Sequence, residues 1–138
     1  MINIEQELIE EEGLSLEPYE DSLGNLTIGV GHRIKSNCGV ITLEYAGKLL
    51  AEDIKIAKDE CRKNIKFFGE LDEVRQYVLI DMCFNLGIRK LLGFKKMLLA
   101  LENKNFVVAS AEMKNSLWHK QVGVRAIKLE NCMKNGRI

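Results

Sequence analysis

The hydrophobic period of the chain changes abruptly at Gly13, and that break limits the folds open to it. Before the break, Ile4, Leu8 and Ile9 recur at the spacing of a helix face. Asn3 is placed to cap this helix, Gln6 to return the favour as in a capping box, and Gly13 to stop it where the backbone needs a positive φ. After the break, the sole proline, Pro18, and the cluster Asp21-Ser22-Leu23-Gly24-Asn25 punctuate two short runs, 17–21 and 26–31. In the second, Leu26, Ile28 and Val30 alternate with Thr27, Gly29 and Gly31. Alternation at period two, bounded by turn residues, predicts a small hairpin.

Beyond the hairpin the helical period returns. Thr42 reads as an N-cap, and 43–66 carries Ala46, Leu49, Leu50, Ile54, Ala57, Cys61 and Ile65 opposite a polar face of Lys48, Glu52, Lys55, Asp59 and Arg62. Phe67-Phe68-Gly69 breaks it. A helix over 72–86 follows, so apolar across 77–84 that it belongs at the centre of a core, with Gly87 as its stop. Shorter helices are predicted over 94–101, 106–113 and 124–134. The fold class is therefore α+β and mostly helical, one domain over 1–138. A small hairpin-bearing lobe spans about 14–60, a helical lobe about 61–138 together with the helix of 1–12, and the long helix joins them.

At 138 residues, 46% apolar and 29% charged, the chain can bury a core without disulfide staples and is neither disordered nor collagen-like. No window of about 18 apolar residues exists, so no membrane insertion is expected. Residues 1–13 carry five glutamates and no Lys or Arg, unlike a secretory signal, which places synthesis in the cytoplasm. Cys38, Cys61, Cys83 and Cys132 never form C-x-x-C, and with His32 and His119 they lack the close ligand pairs of a zinc site. Free thiols are expected, with no metal and no cofactor. The 20 basic and 20 acidic side chains balance, but not locally. Residues 1–32 hold eight acidic groups and no basic one, leaving 20 basic and 12 acidic groups in the other 106. An acidic segment and a basic remainder suit an anionic partner for the latter. No nucleic acid is expected, since no nucleic-acid-binding motif is present.

The acidic segment also contains the chemistry. Glu12 ends the first helix, where the negative end of the macrodipole and the neighbouring carboxylates disfavour its ionisation. A Glu kept protonated is what a general acid requires. Asp21 stands at the lip of the hairpin, where a turn carboxylate is solvated and ionised. Two carboxyls in environments that push their pKa values apart form the acid–base pattern of glycoside hydrolysis. Thr27, across the strand from Leu26, Ile28 and Val30, can orient a water.

At these positions the chain resembles the phage-type lysozymes of glycoside hydrolase family twenty-four. The pattern is a Glu, eight residues, an Asp, five residues and a Thr within T-I-G-x-G-H, here Glu12, Asp21 and Thr27-Ile28-Gly29-Val30-Gly31-His32. Glu12-Gly13-Leu14 and Tyr19-x-Asp21-x-x-Gly24 also agree, making about ten positions in one ungapped register. Likeness continues through Gly39-Val40-Ile41-Thr42, Asp81 to Gly87, Gly93-Phe94 and Trp118-x-x-Gln121-x-x-x-Arg125-Ala126. The segment between His32 and Gly39 is shorter than in the T-even phage enzymes, and Gly123-Val124 replaces proline-asparagine before Arg125.

The resemblance implies a lysozyme-like fold and an endolysin that cleaves the β-1,4 bond between N-acetylmuramic acid and N-acetylglucosamine in peptidoglycan. Glu12 is then the proton donor, Asp21 the general base or electrostatic partner, and Thr27 the residue that positions water. Inversion implies carboxyls about 6.5–9.5 Å apart. Tyr19, Gly31 and His32 are placed along the glycan, in a protein that acts as a monomer and reaches the wall through a holin pore or from a virion.

Each residue has a plainer alternative. Glu12 is one of three consecutive glutamates, Asp21 favours turns in any protein, and a His closing a strand commonly pairs a carboxylate. Gly29 and Gly31 serve backbone fitting, and Trp118 serves the core. The shared register of Glu12, Asp21 and Thr27 decides for catalysis. A catalytically weak or silent peptidoglycan-binding homologue is the alternative, and a helical nucleic-acid or regulatory module is the distant one.

Overall fold

The computed structural model describes all 138 residues. They fall into two compact units, 3–56 and 57–138 with 1–2. In the first, α1 (Ile4–Glu12) precedes a three-stranded antiparallel sheet of β1 (Ser15–Glu20), β2 (Leu26–Gly29) and β3 (His32–Arg33), in that order. Asn3 Oδ1 accepts the Gln6 N–H at 3.1 Å, and Gly13 closes the helix at φ 77° with its N–H on Ile9 O. The reciprocal half of the capping box does not form, because the Gln6 amide reaches Glu10 Oε1 instead.

The expected hairpin is present, and a third strand extends it. The run 26–31 is not one strand: β2 stops at Gly29 and the chain reverses through Val30 and Gly31, with both glycines at φ 66°. That conformation carries little penalty only without a Cβ. The pairing of β1 with β2 slips between Ser15 and Tyr19, the interval that contains Pro18. Proline has no N–H for the ladder, so an irregularity there is its natural accommodation.

The long helix α2 (Leu43–Asn64) starts in this unit, capped by Thr42 Oγ1, which accepts the Tyr45 N–H at 3.1 Å. It ends in the second unit. There, past a single 3-10 turn at Phe68–Glu70, α3 (Glu73–Leu86) is buried continuously from Tyr77 to Cys83, as its apolar run predicts. Asp72 caps it and Gly87 closes it at φ 86°. Around it lie α4 (Ile88–Leu92), α5 (Lys95–Glu102), α6 (Phe106–Lys114), α7 (Leu117–Val122) and α8 (Val124–Asn135). The short helices α4 and α7 have too few turns to display a period. Ser116 nevertheless caps α7 by accepting the His119 N–H at 3.2 Å.

Several polar side chains of this helical unit are tied to partners within it. Asp81, fully buried, accepts a hydrogen bond from Arg125 Nε on Oδ1 at 2.9 Å, and Nη2 of the same guanidinium lies 2.9 Å from that oxygen as an ion pair. Trp118 donates its indole N–H to Asn85 Oδ1 at 2.8 Å and meets the Phe94 ring edge-on, as a core residue does. Arg75 lies over the Phe106 ring and donates to the carbonyls of Met133 and Lys134 at the end of α8. All four cysteines are free thiols, with Cys38 exposed and the others buried. No helix is long and apolar enough to cross a membrane.

Candidate active site

The unit of residues 3–56 holds every residue singled out above for chemistry. Glu12 is the final residue of α1, delivered there because Gly13 ends the helix immediately behind it. Its carboxyl lies over the bare backbone of Gly31 in the β2–β3 turn, so close that a Cβ on Gly31 would overlap Glu12 Oε2. No other glycine in the chain faces a carboxylate in this way.

Antiparallel partners share a face of the sheet, so the register sorts the side chains. Tyr19 pairs with Thr27, and Thr27 with Arg33, which puts these three on one face. Ile28 pairs with His32 on the other. Asp21 follows Tyr19 by two and stands at the end of that first face.

Tyr19 senses both carboxylates. Partial burial, then the charge of Glu12, then that of Asp21, raise its phenol above the ordinary value of 10.0. Glu12, Tyr19 and Asp21 therefore occupy one electrostatic neighbourhood.

Asp21 is locked in the turn between β1 and β2. Its Oδ1 accepts the N–H groups of Leu23 at 2.9 Å and Asn25 at 2.8 Å, and its Oδ2 accepts the Asn25 side-chain amide at 3.2 Å. Burial opposes its ionisation, but these bonds and the charge of Arg33 outweigh it and hold the carboxyl below its usual range. Thr27, only 2% exposed, donates its hydroxyl to Asn25 O at 2.8 Å. Its proton is thus committed, and toward a further molecule the oxygen can only accept.

His32 turns away from this group. Its Nδ1 lies 2.7 Å from Asp53 Oδ2 on α2, joining strand to helix. The arrangement brings together Glu12, Gly31, Tyr19, Asp21 and Thr27 and gives His32 a carboxylate partner. Three residues that sequence reasoning passed over complete it: Asn25, Arg33 and Asp53. The Asp-x-x-Gly-Asn turn signals the first, whereas nothing in the spacing signals the other two. No cluster of three or more metal-ligating side chains occurs. Chemically, a carboxyl at a helix end and an anchored carboxylate, both acting on the Tyr19 phenol, with an accepting hydroxyl tied to the same turn, are suited to proton transfer across a polar bond and its hydration.

Comparison with known proteins finds relatives along most of the chain. The phage lysozyme family pattern matches residues 9–133. The chain is 29% identical over 155 aligned residues to a probable T4-type lysozyme of Dictyostelium discoideum, covering 93% of this chain and 91% of that one. It is 32% identical to an endolysin of Salmonella phage P22, over 80% of this chain and 76% of the other. It is also 28% identical to a peptidoglycan hydrolase of Pseudomonas phage phiKMV, over 91% of this chain but 14% of that much longer protein.

Proposed function

The chain belongs to the phage lysozyme family, and from that premise we propose that it cleaves the β-1,4 bond between N-acetylmuramic acid and N-acetylglucosamine with inversion, lysing a bacterial host. Its coarse function is that of a lysozyme hydrolysing peptidoglycan. The observation that carries the finer reading is the Glu12 carboxyl seated on Gly31, in the electrostatic neighbourhood of the anchored Asp21.

Glu12 gives its proton to the glycosidic oxygen as the bond to the anomeric carbon breaks. A water molecule donates one hydrogen bond to Thr27 Oγ1 and another to Asp21, and its lone pair forms the new bond to the anomeric carbon. Its proton passes to Asp21 as the bond forms. Exchange with solvent then returns Glu12 to its acid form and Asp21 to its carboxylate. The lowered pKa of Asp21 keeps it charged, which stabilises the oxocarbenium-like transition state and fixes the water. Tyr19 and Gly31 line the glycan in this mechanism. The protein acts as a monomer, released to the wall through a holin pore or carried by a virion.

Mass spectrometry of peptidoglycan digests tests the reaction. Hydrolysis leaves a reducing muramic acid end, whereas an anhydro end would indicate a transglycosylase. Proton NMR of the first-formed product distinguishes inversion, which yields the α anomer, from retention.

A further inference from the structure

We propose that Asn25 is a positioning residue for this hydrolysis, its side-chain amide fixing the Asp21 oxygen that takes the proton of the attacking water. The role rests on Asp21 and Thr27 holding that water, as above.

Asn25 is hydrogen-bonded to both residues. Its N–H goes to Asp21 Oδ1 at 2.8 Å, and its carbonyl accepts the Asp21 N–H at 2.9 Å and the Thr27 hydroxyl at 2.8 Å. These bonds use backbone atoms that almost any residue would supply. The bond from Asn25 Nδ2 to Asp21 Oδ2 at 3.2 Å does not.

The two carboxylate oxygens differ in consequence. Oδ1 carries two backbone N–H bonds, which fill its two lone-pair directions. Oδ2 carries only the Asn25 amide and has one direction left. It is therefore the oxygen able to receive a proton, and Asn25 sets where its remaining lone pair points. Thr27 is oriented through the same residue, since its proton is directed to the Asn25 carbonyl and its lone pairs are left for the water.

The surrounding charges do not duplicate this function. Arg33 on β3 favours the Asp21 carboxylate through space, while the charges of Glu12 and Asp21 both act on Tyr19 of β1. Only Asn25 donates a side-chain hydrogen bond to Asp21.

The test is steady-state hydrolysis of purified peptidoglycan across pH by wild type, Asn25→Ala, Asn25→Asp and Glu12→Gln, with melting curves for each. Asn25→Ala lowers kcat about tenfold with KM within about twofold, since positioning rather than binding is lost. The acid limb of its kcat profile moves to higher pH, because a bond favouring the carboxylate is gone. Asn25→Asp preserves shape and turn preference but sets a carboxylate against Asp21 in place of a donor. It lowers kcat further and raises the acid limb further. A purely structural role predicts the reverse order, because Asp is the better substitute in a turn. Asn25→Asp matching or exceeding Asn25→Ala, or an unmoved acid limb in both, overturns the proposal. If instead wild type itself releases no reducing ends in a Glu12-dependent manner, the lysozyme mechanism fails, and the role of Asn25 with it.

Discussion

The Glu12 carboxyl rests directly on the α-carbon of Gly31, and a Cβ built there would stand 2.9 Å from Glu12 Cδ and closer still to its Oε2. Gly31 also holds φ 66°, a conformation costly to any residue with a side chain. One position thus answers to two independent constraints, a backbone turn and the seat of an acid.

Gly31→Ala meets both constraints at once. Displacing the Glu12 carboxyl by about 1 Å is expected to lower kcat on the order of 100-fold. The strained backbone costs about 1–2 kcal/mol of stability. Turbidity clearing of outer-membrane-permeabilised cells and urea denaturation measure the two effects separately. Wild-type activity in the alanine variant would mean that the Glu12 position is not critical.

Glu12→Gln is nearly isosteric and removes the transferable proton, so hydrolysis falls by about 10² to 10⁴ while the fold is retained. The same variant reports on Tyr19. Its phenol is held up by burial and then by the Glu12 and Asp21 charges, so deleting the Glu12 charge lowers its titration midpoint. Ultraviolet titration of tyrosinate, with Tyr19→Phe to assign the signal, reads the shift. An unchanged midpoint would separate Glu12 from Tyr19 in space.

Acid stability follows from Asp21. Its folded carboxyl titrates below the ordinary value of 3.8, so it contributes stability that is complete above about that pH and is lost as pH falls through the folded value. Wild type therefore loses melting temperature more steeply below pH 3.8 than Asp21→Ala does. Calorimetry of the two proteins through this acid window checks the sign. Parallel curves would show that the turn bonds do not favour the charged form.

His32 and Asp53 join β3 to α2 through one hydrogen bond at 2.7 Å, with side chains 29% and 24% exposed. A charge-assisted bond of this kind contributes about 1.5–3 kcal/mol, reduced toward the lower figure by solvent access. His32→Asn and Asp53→Asn should each destabilise, and the double variant should lose less than their sum. Strict additivity in the double-mutant cycle would show that the two do not interact.

Much of this protein is legible in one dimension because its signals are local. Asn3 and Gly13 bound α1, the alternation of Leu26 to Val30 marks a strand, and the apolar run of 77–84 marks a buried helix. Each depends on residues within a turn or two of one another, as caps and periods do. The spacing of Glu12, Asp21 and Thr27 likewise identifies the residues of the candidate site. It does not describe their contacts.

Those contacts required the chain to close on itself. The third strand exists because Gly29 and Gly31 reverse the backbone at φ 66°, and that reversal carries Gly31 under Glu12, nineteen positions away. Asp53 meets His32 across 21 residues, and Asp81 meets Arg125 across 44. Sequence marked His32 as a seeker of carboxylates without saying which one, because pairing depends on proximity and burial, which are set only by packing. Asn25 illustrates the same division. Its residue type declared a turn, and only the folded turn aimed its amide at Asp21 and its carbonyl at Thr27.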